Sequence, residues 1–230
     1  MYSTGVPNDR SFHSQEKLVA SKWDFLDAEL KKHSKKISIL DIGCSGGGKL
    51  LNLYRLGYRS IQGIDYADDV FREVWKKHPF LNINKGNAED LSNIKNNSID
   101  LAYASHLLEH LPNPDKCIKA VVKKLKKKGK FIIGIPNGYE LNDVLMRRIQ
   151  ILLYGNTDHL QSFDKAKIIY LLESNNFKIK KFVSDWGSLE FLLDARLNNL
   201  TLNIPGKFFY KLIKKIYWKE IYFNIIAEKK

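Results

Sequence analysis

From residue 37 onward, short apolar runs alternate with stretches whose apolar positions recur at helical spacing. Residues 37–42 carry four apolar or β-branched positions and predict a buried strand; residues 49–56 then resume a helical stripe. The same pairing recurs. Strand patterns fall at 59–65, 80–85, 98–104, 130–136 and 177–184, and a last one at 220–227. Helical patterns fall at 67–77, at 114–128 with Cys117, Ile118, Val121, Val122 and Leu125 inward, and at 165–172. Further apolar faces cover 141–153 and 189–200. Ahead of all this, residues 1–13 mix Gly, Pro, Asn and Ser and read as a loose arm. Residues 14–32 place Leu18, Val19, Trp23, Phe25, Leu26 and Leu30 on one helical face, with Ser14 as a cap. Strands alternating with helices predict an α/β fold: a mainly parallel sheet covered on both faces.

Composition changes this picture little. At 230 residues, 44% hydrophobic and 12% aromatic, the chain suits one globular domain with a sizeable core. The formal charge is 38 − 25 = +13. Such a surface suits nucleic acid, an anionic substrate or a membrane surface. The lysines are spread over helix faces, however, and the run at 123–128 followed by Gly129 reads as cations complementing a helix C-terminus before its cap. Cys44 and Cys117 show neither disulfide nor metal spacing, which suits reduced thiols in the cytoplasm. There is no signal-peptide pattern at the N-terminus and no apolar run of membrane-spanning length.

The chemistry concentrates after the first strand, in Asp41-Ile42-Gly43-Cys44-Ser45-Gly46-Gly47-Gly48. Strand, glycine-rich turn and helix form a backbone cradle at a helix N-terminus. A dinucleotide fingerprint fails at its second glycine, where Ser45 stands. A P-loop fails after Lys49, where Leu50 has no hydroxyl for Mg²⁺. Both ligands bring phosphates, which the Asp41 carboxylate would repel. A cation without phosphates removes the objection, and S-adenosylmethionine (SAM) carries a sulfonium and an ammonium. Here the chain resembles the class I SAM-dependent methyltransferases. Their first motif is similar to Leu40–Gly47, with glycine more usual at Ser45. The resemblance implies a Rossmann-like, doubly wound, seven-stranded sheet with an antiparallel last strand, and SAM lying across the strand C-terminal ends. Asp41, Gly43, Cys44, Ser45 and Gly47 are its expected cofactor residues. Asp65, 18 residues beyond Gly47 at the tip of the second strand, stands where a ribose would lie, and Tyr66 can stack on adenine. Family resemblance adds Asn87 and Ala88 as an adenine clamp, Asp being more usual at Asn87. Ser105 is expected to meet the methionine part through its carbonyl.

The acceptor side is read from histidines. His106 and His110 belong to a segment similar to the acidic-His-Leu segment of small-molecule methyltransferases, and share one helical face if that segment is a helix. They lack the H-E-x-x-H order and a third ligand in the following helix, so no metal is expected. Resemblance to methyltransferases of glycans and quinone precursors, and to relatives associated with methionine biosynthesis, puts a His near the acceptor just before a helix. His159 is therefore the first candidate for general base, and Asp164 the cap of the next helix. The expected boundaries are 1–34 for arm and first helix, 35–137 for the SAM-binding core, and 138–230 for the acceptor-side helices and last strands. The expected activity is O-methylation of a small-molecule or glycan acceptor. A nucleic-acid methyltransferase is the first alternative. It lacks a Pro-Pro-aromatic motif after the fourth strand, and Cys117 falls inside a helix rather than at a nucleophile position. A SAM-binding or partner-binding module without turnover is the second. The stretch 205–217 interleaves Phe208, Phe209, Tyr210, Leu212, Ile213 and Ile216 with lysines; core packing is its favoured role, weak membrane-surface contact the other.

Overall fold

The computed structural model describes residues 25–66, 68–138, 159–185 and 222–230. The expected arm at 1–13, the start of the first helix, the apolar faces at 141–153 and 189–200, and the basic stretch 205–217 lie outside the described residues. In chain order the elements are α1 (25–30), β1 (Ile39–Ile42), α2 (Gly48–Arg55), β2 (Ile61–Asp65), α3 (Asp68–Lys77), β3 (Asn82–Lys85) and β4 (Ile99–Ser105). A 3₁₀ turn (Leu108–His110), α4 (Pro114–Lys124), β5 (Leu125–Pro136), α5 (Lys165–Ser174), β6 (Phe177–Asp185) and β7 (Tyr222–Lys229) follow.

The strands form one seven-stranded sheet in the order β3-β2-β1-β4-β5-β7-β6. Pairing is parallel from β3 through β5, and β7 runs antiparallel between β5 and β6. The doubly wound fold and its antiparallel last strand thus stand as expected. The chain reverses its winding direction between β1 and β4, which opens a crevice at their C-terminal ends.

Period-two alternation assigns each strand residue to a face. Ile39, Leu101, Tyr103 and Ile132 pack with Leu26 and Leu30 of α1 and Leu50 and Leu53 of α2. Leu40, Ile42, Ala102, Ala104, Ile133 and Ile135 pack on the other face with Ile118 and Val121 of α4 and Ile168 and Leu172 of α5. All these side chains are buried, each large one contributing roughly 1.5–3 kcal/mol. Helix ends follow from side-chain caps. Asn113 Oδ1 accepts from Lys116 N (3.1 Å) with Pro114 in the first turn, and Asp164 Oδ1 accepts from Lys167 N (2.6 Å), as its position implied.

The helix expected at 114–128 is corrected. It ends at Lys124, and Leu125 already lies in β5, paired with Ile99. The next aligned pair is Leu101 with Lys130, so residues 126–129 bulge out of the ladder. Lys126 Nζ reaches the Asp100 carboxylate (2.8 and 2.9 Å), and Lys128 is left-handed (φ 61°). Lys126–Lys128 therefore do not complement a helix dipole, and Gly129 is not a helix cap. Burying Leu125 against Ile99 outweighs one more helical turn of solvated lysines.

Candidate active site

The loop after β1 is held by its neighbours. Gly43 N and Cys44 N both donate to Ile64 O at the end of β2 (2.8 and 3.2 Å), and Gly47 N donates to Cys44 O (2.9 Å). Gly47 has φ 80°, and a Cβ there would meet Ile83 Cδ1 at 2.5 Å, so this position requires glycine. Ser45 is also left-handed (φ 48°). Its N–H donates to Asp65 Oδ2 (2.8 Å), and its carbonyl accepts from Trp75 Nε1 (2.9 Å). Asp65, the expected ribose acceptor, thus stands beside the loop. Cys44 is buried, and burial, with Asp41 and Asp65 adding to it, pushes its thiol well above the usual range. It packs over Gly63 and is no nucleophile.

Asp41 lies at the end of β1, 3% exposed. Burial lifts its carboxyl to about 7; Lys49 opposes the shift and Asp65 adds to it. Lys49, in the first turn of α2, is equally enclosed and donates from Nζ to Asp27 Oδ1 (2.9 Å). Burial lowers it to about 8, against the pull of Asp27 and Asp41. Sequence reasoning missed Lys49; its signal was a lysine on an apolar helix stripe. The acidic set around the loop fits a cationic, phosphate-free ligand, and SAM fits these residues.

The remaining cofactor candidates flank this crevice. Tyr66 is exposed at the end of β2, with Lys85 Nζ 5.8 Å from its ring centroid. Asn87 Oδ1 accepts from Glu89 N (2.8 Å), which orders the turn after β3, and Ala88 is buried in the core. Ser105 closes β4, its Oγ 3.2 Å from Tyr222 Oη.

Beyond Ser105 the chain does not form the helix that would align His106 with His110. His106 is left-handed (φ 50°), its N–H donates to Gly134 O (2.8 Å), and its ring lies 4.8 Å from that of Tyr222. The two histidines instead flank Glu109. His106 Nδ1 is 3.2 Å and His110 Nε2 4.0 Å from Glu109 Oε1. Glu109 is 1% exposed; burial raises its carboxyl, but His106, then His110, outweigh burial and hold it below the usual range. The Glu109 carbonyl accepts from Leu160 N and Gln161 N (2.8 and 2.9 Å), which docks the segment carrying His159. His159 meets His110 edge-on, ring centroids 4.8 Å apart. One ligand atom each from Glu109, His110 and His159 lies within 4.8 Å of the others, so this trio can hold a cation. The sequence offers no third ligand within α4, and residue 159, 49 positions past His110 by number, carries no spacing signal.

A seven-stranded doubly wound sheet with an acidic glycine loop at its switch point and histidines across the crevice defines a methyl-transfer fold. The chain belongs to the methyltransferase domain family, whose model matches residues 12–181, and is a class I SAM-dependent methyltransferase. Over 185 residues it is 27% identical to a ubiquinone biosynthesis O-methyltransferase of Rickettsia bellii (strain OSU 85-389), covering 75% of this chain and 76% of the relative. Among solved structures it is similar to geranyl diphosphate C-methyltransferase from Streptomyces coelicolor A3(2), in complex with Mg²⁺, geranyl diphosphate and S-adenosyl-L-homocysteine. That match has TM-score 0.69 and 15% identity, over 93% of this chain and 80% of that one. It is also similar to the [4+2]-cyclase SpnF (TM-score 0.67, 17% identity, 91% and 81% covered). These structural likenesses establish the fold. No helix among the described residues is long and apolar enough to cross a membrane.

Proposed function

We propose that the chain methylates a hydroxyl oxygen of a small-molecule acceptor, with His159 as general base backed by His110 and Glu109. The observation that carries this reading is the docking of His159 against His110 and the buried Glu109, one turn beyond the end of β4. The acceptor oxygen attacks the methyl carbon, the C–S bond breaks, and the sulfonium leaves as a neutral thioether. The hydroxyl proton passes to imidazole, the side chain whose ordinary titration suits proton removal at neutral pH. Glu109 steadies the positive charge gained. On the donor side, Gly43, Cys44, Ser45 and Gly47 cradle the methionine part over Asp41, Asp65 accepts from the ribose hydroxyls, and Tyr66, Asn87 and Ala88 border adenine. Ser105 faces the reacting end. The O-methyltransferase name of the Rickettsia relative supports oxygen as the target. The free, buried Cys44 and Cys117 support a cytoplasmic setting.

His159→Ala is expected to leave SAM affinity within about twofold while lowering turnover by roughly 10²–10⁴-fold, the usual worth of a positioned base. Calorimetry with SAM, and mass spectrometry of a panel of phenols and sugars incubated with SAM, measure the two effects. Normal turnover removes His159 as base. The same trio supports a second reading, a divalent cation at Glu109, His110 and His159 that binds the acceptor hydroxyl. Turnover that survives exhaustive chelation favours the base; loss on chelation with recovery on adding one metal favours the cation.

A further inference from the structure

Ser45 occupies a backbone position that is costly for it. Its φ of 48° lies in the left-handed region, where a side chain crowds the following carbonyl oxygen. Glycine would stand there without that cost. Yet the loop is held in this shape from two sides, by elements distant in sequence. Asp65, from the tip of β2, takes the Ser45 N–H at 2.8 Å. Trp75, from the last turn of α3, donates its indole N–H to the Ser45 carbonyl at 2.9 Å. One peptide unit on each side of a strained residue is thereby fixed by a side chain.

We propose that Trp75 is a positioning residue for the cofactor site, which locks the left-handed Ser45 and so presets the glycine loop to receive SAM. The inference rests on the reading that this loop and Asp65 hold SAM. Its physical basis is preorganisation. A loop already in its binding shape gives up less conformational freedom when the ligand arrives. Asp65 has a second duty in that reading, since its carboxylate also serves the ribose. Trp75 is assigned none: its indole nitrogen donates to the loop carbonyl of Ser45. Its contribution is therefore tied to the residue at position 45. With glycine at 45 the strain disappears, and the need for the indole lock falls with it.

The test is a double-mutant cycle read as SAM affinity. Trp75→Phe keeps an aromatic ring on half-exposed α3 and removes the donor; it is expected to weaken SAM binding about five- to tenfold, the worth of one hydrogen bond. Ser45→Gly supplies the second background, and its own SAM affinity is the baseline against which the next substitution is read. In the Ser45→Gly background, Trp75→Phe is expected to cost less than about twofold, a non-additivity that marks direct coupling. A loss equal in both backgrounds, or no loss in the parent, overturns the proposal. Asp65→Ala separates the two levels. If it weakens SAM binding while Trp75→Phe does not, the Trp75 role alone fails; if neither matters, the assignment of this loop to SAM fails as well. The unaltered protein supplies a check that needs no variant. The Trp75 indole proton should exchange slowly with solvent in the free protein, and a freely exchanging indole overturns the lock.

Discussion

Asp41 shows how one residue can be found from sequence while its environment is not. The carboxylate before the glycine turn was legible, because an acid at that place argues against phosphate ligands. Its burial and its counter-charge were not, because Lys49, itself paired with Asp27, reaches it from a helix on one face of the sheet. The consequence is a pH dependence. Folding lifts the Asp41 carboxyl from its ordinary value of 3.8 to about 7, so the native state holds a proton that the unfolded chain has lost. This group's favourable contribution is complete below about pH 4 and disappears as pH rises through 7. At about 1.4 kcal/mol per unit, the span amounts to at most roughly 4 kcal/mol. The charges facing it are Lys49, Asp65 and, through Lys49, Asp27; Cys44 stays a neutral thiol in this range. Unfolding by denaturant at pH 5, 6 and 7 is expected to show a falling stability that flattens in Asp41→Asn. Parallel pH profiles for the two proteins would contradict this account of Asp41.

At the level of elements, legibility depended on whether a segment's partner was local. Helices α2 and α5 and strands β1, β2 and β4 follow from spacing that each segment carries in itself, and their ends came within a residue or two. The lysine run after α4 did not, because its fate is set by Ile99, a residue remote in sequence that pairs with Leu125. Read locally, residues 125–128 continue the helix; packed in the sheet, Leu125 joins the ladder and 126–129 bulge out of it. The histidine segment is set from a distance as well: its local pattern left open whether 105–112 is helical, and the Gly134 carbonyl and the Glu109 carboxylate fix it as a loop and a 3₁₀ turn. The bulge makes a prediction of its own. Lys128 carries a left-handed backbone, so Lys128→Gly removes strain of roughly 1 kcal/mol and is expected to leave the melting temperature equal or raise it by a few degrees. Lys127→Gly, at a neighbouring position without positive φ, is expected to lower it. Scanning calorimetry of both variants decides; the reverse order would mean that Lys128 is not strained.

On the scale of the whole molecule, the site depends on the last residues of the chain. Strand β7 is inserted between β5 and β6, so both of those strands take hydrogen bonds from a segment made after them. Its first residue, Tyr222, is buried beside the crevice, with its hydroxyl at Ser105 Oγ and its ring against His106. Sheet completion and site geometry are therefore linked, through a pairing between segments remote in sequence. Nothing in the local pattern of 220–227 reveals this; an amphipathic strand at the end of a chain reads equally well as an edge. Removing residues 222–230 takes away an interior strand and leaves β5 and β6 without their shared partner. The shortened chain is expected to lose its cooperative thermal transition, not merely to melt lower, and to lose SAM binding with it. Tyr222→Phe separates the two effects. It keeps the ring and the strand but removes the contact to Ser105, costing about 1 kcal/mol of stability. The sheet stays intact in that variant, so a change in turnover larger than the change in SAM affinity would place the Tyr222 hydroxyl on the acceptor side of the site. A truncated chain that still melted cooperatively would show that β6 can pair with β5 directly, and that β7 is dispensable to the core.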